Sequence, residues 1–484
     1  MNVNPLIFRA YDIRGIAQTS EKYPQKDIDE DIAYLLGKGI GTYIKKHYGP
    51  KIAVGRDNRL TGEKIEKALI SGLLSIGANI VKIGLSTSPL LYYTVCKYDL
   101  DGGINITASH NPKEYNGFKI VGAKGHSICG DELQIIRKSI EENMVSSQNF
   151  QNSAANAKPT TKPWQKNKKI WNDYLLDMKK LVKKPIKPLK VVIDAGSGTT
   201  GLYAPKLLKH FGYKTVELYC ELDGNFPFHT ANPEEYENMK DLIQKVIEEK
   251  ADIGIGFDGD GDRIGIVDEK GTFYAADYLL ILLARDLLSR HKQAKIVYDL
   301  KSSRILEQEI KKHGGLAIMA KTGHSFIEQT MKREGALLGG EVSGHMFFAE
   351  NYYGFDDAFL AALKVLEIVS NSGMPLSKHF ENLKKTAITP EIKVPCQDDK
   401  KFAIVDEITN KFKRTHACIT IDGVRIDFGN EDWGIVRSSN TSPCLTLRFE
   451  AGSAQKLKEI KKIVYESLKK YKEVDNSWYE IDNK

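Results

Sequence analysis

Residues 51–83, KIAVGRDNRLTGEKIEKALISGLLSIGANIVKI, decide the fold class. Lys51 to Arg56 is a short apolar run of strand length. Glu63 to Leu74 then places Ile65, Ala68, Leu69 and Gly72 on one helical face, and Asn79 to Ile83 is a second strand-like run. A strand, an amphipathic helix and a strand in succession spell a βαβ unit, which implies a parallel sheet covered by helices.

Working outward, the alternation restarts twice. Leu189 to Ile193 reads as a buried-type strand, followed by glycine-rich residues, the helices Tyr203 to His210 and Glu234 to Glu249, and the strand Asp252 to Phe257. The next set is the helix Ala276 to Leu288, the strand Lys295 to Leu300, the helix Arg304 to Lys312, the strand Ala317 to Ala320 and the helix Ser325 to Arg333. Three α/β units in series account for these. Beyond the helix Asp356 to Ile368 the texture changes: Ala417 to Phe428, Trp433 to Val436 and Leu445 to Phe449 read as successive strands, and Ala454 to Leu468 as a Lys-rich helix. The expectation is an α/β protein of three tandem α/β/α domains with mixed sheets (1–160, 169–272 and 273–378) and a fourth, C-terminal α+β domain (379–484). Between the first two, Val145 to Lys168 is rich in Ser, Asn, Gln, Lys and Pro and reads as an exposed linker.

Composition excludes several classes. With 484 residues, of which 41% are hydrophobic and 27% charged, and with 40 Gly and 16 Pro, the chain is neither disordered nor collagen-like. Lys and Arg number 70 against 63 Asp and Glu, a net +7 that can help attract phosphorylated ligands but demands no nucleic acid. The six cysteines form no C-x-x-C pair, so neither a disulfide framework nor a thiolate zinc site is signalled. No run of ~18 apolar residues and no secretory leader pattern is present, so the expectation is a cytoplasmic protein with no membrane partner.

Four short segments carry chemistry. In Thr107-Ala-Ser109-His110-Asn111-Pro112, a serine follows the strand-like Gly103 to Ile106 and a proline stiffens the turn. That presents a hydroxyl at a strand's carboxyl end, where open α/β sheets place their ligands. The alternative is a simple ST- or Asx-turn. Asp258-Gly-Asp260-Gly-Asp262-Arg263 follows the apolar run Ile253 to Phe257, and its alternate carboxylates can converge on one hard cation. An EF-hand is excluded because Arg263 stands where that loop needs glycine and strands flank the segment. Gly339-Gly-Glu341-Val-Ser343-Gly-His345 points a carboxylate, a hydroxyl and an imidazole to one side of an extended chain, able to grip vicinal hydroxyls. Arg437-Ser-Ser439-Asn440-Thr441 offers a guanidinium fork with hydroxyl and amide donors, suited to a phosphate, the alternative being a plain hairpin loop. A literal G-x-G-x-x-G, Gly196 to Gly201, lies between a strand and a helix with Glu217 beyond it; the dinucleotide reading competes with a glycine turn that serves close packing.

Together with Phe8-Arg-Ala-Tyr11-Asp-Ile-Arg14-Gly15, Gly55-Arg56-Asp-Asn-Arg59, Asn116-Gly-Phe-Lys119 and Lys321-Thr-Gly-His324, these segments resemble the α-D-phosphohexomutase family over nearly the whole chain, most closely its bacterial-type phosphomannomutase/phosphoglucomutase members. The resemblance implies four domains around a central cleft. It further implies a phosphoserine at Ser109, Mg²⁺ held by Asp258, Asp260 and Asp262 with a Ser109 phosphate oxygen, and sugar contacts from Glu341, Ser343 and His345. Arg437, Ser439, Asn440 and Thr441 would bind the non-transferring phosphate, with Tyr11, Lys301 and His324 also on the substrate. Arg14, Arg263 and Lys119 would neutralise the transferring group, and Lys119, His345, His110 or His324 would move the hydroxyl proton.

The implied activity is interconversion of the 1- and 6-phosphates of mannose and glucose through a hexose 1,6-bisphosphate, by a monomer or dimer whose partner is a small phosphosugar. Three departures stand out: Thr61 where a family Ser is expected, Val342 where Met is frequent, and the long 145–168 segment. Val342, with no polar partner for a 2-amino group, predicts poor use of glucosamine phosphate. The rival readings are a phosphoglucosamine mutase, a non-catalytic sugar-phosphate binding protein and a Rossmann-type oxidoreductase.

Overall fold

The strand Lys51–Arg56 lies between Gly102–Ile106 and Asn79–Leu85, parallel to both, in the first of four sheets of the computed structural model, which describes residues 3–149, 163–439 and 442–481. The same sheet continues antiparallel through Tyr115–Gly122 to Ile13–Ile16. Its other edge departs from the expected linker. Val145 to Asn149 close the helix Asp131–Asn149, and Gln165–Asn167 pair parallel with Ile80 to Lys82 as an edge strand. The side chains of that strand are exposed, as the polar composition implies. An edge strand needs only a free backbone, and side-chain polarity gives no sign of it. The first sheet therefore extends to Asn167 rather than ending at residue 160, and residues 150–162 lie outside the described chain.

The second sheet runs Phe273–Tyr274, Ile264–Asp268, Ile253–Phe257, Lys190–Asp194 and Lys214–Leu218, its last three strands parallel and the others antiparallel. The third runs Leu316–Ala320, Lys295–Asp299 and Leu338–Gly340 in parallel, with Met346–Phe348 antiparallel at the edge. All three are mixed, as expected. The fourth is wholly antiparallel: Ala387–Ile388 and Ile392–Pro395 pair with one side of Cys444–Ala451, followed by Asp432–Ser438, Val424–Gly429 and Cys418–Ile419. The run read as one strand, Ala417 to Phe428, is thus two. Gly423 turns the chain at φ +71°, and any Cβ there would lie 2.4 Å from the Val436 carbonyl oxygen.

The helix Ala358–Ser372 is apolar nearly all round and sits in one core with the helix Ala276–Arg290 and strands of the second and third sheets. Asp357 caps it, accepting from the N–H groups of Phe359 and Leu360 and from the hydroxyls of Tyr174 and Tyr352. The third and fourth sheets are joined by Arg425, which lies over the buried Trp433 ring at 3.7 Å and donates to the carbonyls of Leu300 and Ser302. Among the described residues no helix is long and apolar enough to cross a membrane.

Candidate active site

Most of the segments that carry chemistry follow a strand's end, while Arg437 lies within the strand Asp432–Ser438 itself. Ser109 follows Gly102–Ile106, Asp258 follows Ile253–Phe257, Lys301 follows Lys295–Asp299 and Glu341 follows Leu338–Gly340. These loops line a cleft together with Tyr11, Arg14, His110, Lys119, Arg263, His324, Ser343, His345, Arg437 and Ser439.

Ser109 has φ +51°, a left-handed conformation uncommon for a non-glycine residue, and its side chain is buried. Its Oγ donates to Asp258 Oδ2 at 2.7 Å and lies 3.0 Å from His110 Nδ1. Asp258 Oδ1 accepts from the N–H groups of Gly261, Asp262 and Arg263, which curls the loop so that the three aspartates converge, with ligand oxygens within 4.8 Å of one another. Burial, and then Asp262 and Asp260, hold the Asp258 carboxyl well above the usual range. Oδ1 of Asp260 and Oδ1 of Asp262 are buried with no hydrogen-bond partner among the described residues. Orphaned, converging, hard oxygen atoms fit a divalent cation that prefers oxygen ligands. Lys119 reaches the same carboxylates: its Nζ is 2.8 Å from Asp260 Oδ2 and also pairs with Asp262 Oδ2. Burial opposes its charge, but the aspartates win and hold the ammonium well above its ordinary pKa.

Arg14 donates from Nη1 to Asn111 Oδ1 at 2.6 Å, and its Nε is 2.7 Å from Asp12. Arg263 donates from Nε to His345 Nε2 at 2.9 Å. Since Nε2 accepts, the His345 proton sits on Nδ1, which lies 2.6 Å from Asp356 Oδ2. Burial, with Arg263 adding to it, depresses His345 and keeps the ring neutral. His324 stacks on His345 at 5.5 Å and receives the edge of Tyr11 at 5.0 Å. Its pKa is pushed down to about 3 by burial and then Lys119, and its buried Nε2 has no partner among the described residues.

In the sugar-loop segment Glu341, Ser343 and His345 line the cleft, whereas Val342 lines an adjoining cavity of about 520 Å³ that Glu234, Ser343 and Glu391 also border. The segment is not the extended run expected: Glu341 to Gly344 form a turn, with Gly344 N–H donating to the Glu341 carbonyl at 3.0 Å and Gly344 at φ +99°. Val342 is buried and is not on the lining of the cleft itself. Glu341 accepts from Gly323 N–H at 2.6 Å, and burial, then Asp299, raise its carboxyl to about 8. Lys301 Nζ is 2.5 Å from Glu391 and 3.9 Å from Glu234. Arg437 is buried, with Nε on Asp422 Oδ2 at 2.9 Å, and Ser439 Oγ accepts from Ser442 N–H. Asn440 and Thr441 lie outside the described residues.

The glycine-rich turn Gly196 to Gly201 serves packing. A Cβ on Gly198 would lie 2.7 Å from Gly259 Cα and one on Gly201 2.1 Å from the Cys220 carbonyl oxygen, so the room a pyrophosphate needs is filled. Thr199 N–H and Thr200 Oγ1 instead donate to the carbonyls of Gly259 and Asp258, backing the aspartate loop. Glu234, Glu391 and Lys393 also line the cleft, and Asp356 orients His345. The sequence reading does not include these four. Asp356 alone carries a local signal, preceding a helix cap; Glu234 and Glu391 come from connecting segments with no motif, and Lys393 from the short strand Ile392–Pro395.

A multidomain α/β protein whose cleft gathers Arg14, Lys119, Arg263, Lys301, Lys393 and Arg437, with His110 of the Ser109 loop on its wall, is built to receive an anionic ligand. Successive parts of the chain match the descriptions phosphoglucomutase/phosphomannomutase alpha/beta/alpha domain I (residues 5–146), domain II (167–271), domain III (275–386) and C-terminal domain (391–467). The chain is 41% identical over 464 residues to a phosphomannomutase/phosphoglucomutase of Pseudomonas aeruginosa, covering 96% of this chain and 95% of that one. A crystal structure of a phosphoglucomutase/phosphomannomutase family protein from Burkholderia thailandensis shares 34% identity and superposes with a TM-score of 0.85 over 97% of this chain and 98% of that one. At 13% identity and a TM-score of 0.60 over 95% of each chain, the Aspergillus fumigatus N-acetylphosphoglucosamine mutase, in complex with GlcNAc-6P and magnesium, shares the fold. The chain belongs to the phosphoglucomutase/phosphomannomutase family.

Proposed function

We propose that this chain is a Mg²⁺-dependent phosphohexomutase of the cytoplasm that interconverts the 1- and 6-phosphates of mannose and glucose. It would do so through a phosphorylated Ser109 and a hexose 1,6-bisphosphate. The observation that carries the reading is the 2.7 Å contact of Ser109 Oγ with Asp258, between two loops that reach the cleft through His110 and Arg263, a cleft that Arg437 also lines. The 41% identity to a phosphomannomutase/phosphoglucomutase supports the choice of sugars.

Phosphoryl transfer asks the protein for an in-line oxygen and for charge neutralisation. Asp258, Asp260 and Asp262 would hold Mg²⁺, which when bound offsets charge on the transferring group. Ser109 Oγ would carry the phosphoryl group, and the strand-end turn sets it against Asp258 and beside His110 on the cleft wall. Lys119, Arg14 and Arg263 supply fixed positive charge around it. Glu341, Ser343 and His345 grip the sugar hydroxyls.

Among the cleft imidazoles His345 Nε2 is engaged by Arg263, while His324 Nε2 has no described partner, so His324 accepts the proton of the attacking hydroxyl. An arriving phosphate dianion raises the affinity of His324 for that proton. Arg437 and Ser439 hold whichever phosphate is not reacting. Reversal of the bisphosphate in the cleft then returns the other phosphate to Ser109.

The test is an ATP-free turnover panel of mannose, glucose and glucosamine phosphates, each with a trace of the matching bisphosphate. Turnover of mannose and glucose phosphates supports the proposal. Preferential use of glucosamine phosphate moves the chain to the amino-sugar mutases, and binding without turnover makes it a sugar-phosphate binding protein.

A further inference from the structure

Arg59 is buried and is not on the lining of the cleft above; it borders a small cavity with Ser109, Asn111 and Pro112, and all five of its N–H donors are used on the nucleophile loop and its anchor. Nη2 donates to the carbonyls of Ser109 (2.9 Å) and Asn111 (2.6 Å), and Nη1 to those of Pro112 (2.7 Å) and Tyr115 (2.9 Å). Nε donates to Asp57 Oδ2 at 3.1 Å. The same Asp57 oxygen accepts from Thr107 Oγ1 at 2.7 Å, and Thr107 Oγ1 accepts from Ser109 N–H at 2.9 Å. Both the amide and the carbonyl of Ser109 are therefore tied, directly or through one hydroxyl, to a single buried ion pair. Its left-handed backbone needs such support, because a non-glycine residue in that region persists only where its surroundings over-determine it.

The ion pair is also docked on the unit that carries the aspartate loop. Between its two residues, Asn58 donates from Nδ2 to the Ser197 carbonyl at 2.8 Å and from its backbone to Thr199 Oγ1 at 2.9 Å, and Thr199 N–H in turn donates to the Gly259 carbonyl. Phe226, from the same second unit, lays its ring 5.1 Å from the Arg59 guanidinium carbon. Gly224 is pressed against Asn58: a Cβ there would come within 2.7 Å of the Asn58 carbonyl oxygen.

We infer that the turn Asp57-Asn58-Arg59 is the positioning element of the reaction, which sets Ser109 Oγ against the Asp258 loop by holding the nucleophile loop of the first unit and the aspartate loop of the second in one register. It touches no substrate and acts through Ser109. The inference rests on the proposed phosphoserine chemistry.

The test uses Arg59→Lys and the milder Asn58→Ala in the full chain, each isolated in its phosphorylated form with ³²P on serine. A lysine keeps the charge but brings three donors to five acceptors without the planar fork. For Arg59→Lys, kcat is expected to fall ~30- to 100-fold, the scale of a displacement of about 1 Å at a reacting centre. KM should stay within about threefold, since no substrate contact is removed. The phosphoserine should also lose a larger share of its label to water than to sugar, a partition that a merely destabilised but correctly aligned site does not change. Asn58→Ala should show the same pattern several-fold more weakly, and stands in if Arg59→Lys does not fold. Wild-type kcat and partition in the folded variants overturn the inference, as does a loss of activity that only tracks the unfolded fraction. If wild-type protein carries no transferable phosphate, the reading beneath fails instead.

Discussion

Replacing Arg437 with alanine tests the shared phosphate anchor. Arg437 is buried, and its Nε is committed to Asp422 at 2.9 Å, so the two terminal nitrogens are what the guanidinium can offer a phosphate. A charge-assisted hydrogen bond contributes ~1.5–3 kcal/mol. At ~1.4 kcal/mol per tenfold, loss of one such bond corresponds to a ~10- to 150-fold rise in KM, and loss of a bidentate pair to the upper end or beyond. Only 16% of the Asp422 side chain is exposed, so losing its partner also costs folding stability, and Tm must be followed alongside KM. The assay is steady-state turnover of a hexose 1-phosphate and of the matching 6-phosphate, with melting temperature as the control. Because the same fork must take either phosphate as the sugar reverses, both KM values should rise alike while kcat changes little. Arg437→Lys, which keeps charge but lacks the fork, should fall between wild type and alanine. A large effect on one isomer alone would refute a shared anchor.

Glu341 predicts a pH dependence of stability. Its folded pKa of about 8 lies above its ordinary 4.5, so the folded protein binds that proton more tightly than the unfolded chain does. The resulting stabilisation is complete below pH 4.5 and fades as pH rises to about 8. Metal-free thermal melts should show Tm falling across that window, and Glu341→Gln should flatten the fall; an equally steep fall in the variant contradicts the assignment. Asp356→Asn can offer a donor to His345 Nδ1 and so moves the ring proton to Nε2, where it meets the Arg263 N–H. A kcat loss of ~10- to 100-fold at near-normal Tm is expected, and unchanged kcat would argue against the tautomer. Chelation with EDTA should abolish turnover and Mg²⁺ restore it, with Asp260→Asn needing at least about tenfold more Mg²⁺; full activity in stripped enzyme would remove the metal from the account.

How much of this is legible in sequence varies with the range of the signal. The βαβ order is written in local periodicity, and the glycine and aspartate spacing of residues 258–263 by itself announces a converging loop. The helix Glu30–His47 is not among the elements read above, though Asp29 caps it and Ile32, Leu36, Ile40 and Tyr43 give it a buried stripe. The polar strand Gln165–Asn167 has no such signal, because edge pairing is a property of the backbone and of the neighbour it finds.

Within the site, Arg14, Lys119, Arg263, Glu341, Ser343, His345 and Arg437 line one cleft, but the partners of the motif residues are long-range. Lys119 meets Asp260 from 141 residues away, and Arg59 clamps a loop 50 residues on. Only the folded chain shows that the nucleophile and metal loops share a joint at Asp57 to Arg59. Glu341, Ser343 and His345 line the cleft, but through a turn over Glu341 to Gly344 rather than through the alternation of an extended chain that their spacing suggests.

The central claim is that Ser109 itself hands a phosphoryl group to the sugar and takes one back. The most direct measurement is a rapid-quench single turnover of enzyme labelled with ³²P on serine, mixed with unlabelled glucose 1-phosphate in the absence of ATP. The account predicts that label leaves the protein with the kinetics of turnover, appears first in the 1,6-bisphosphate and then in the 6-phosphate, and cannot be loaded onto Ser109→Ala at all. Label that stays on the protein while product forms, or a Ser109→Ala variant that turns over at a wild-type rate, would contradict it.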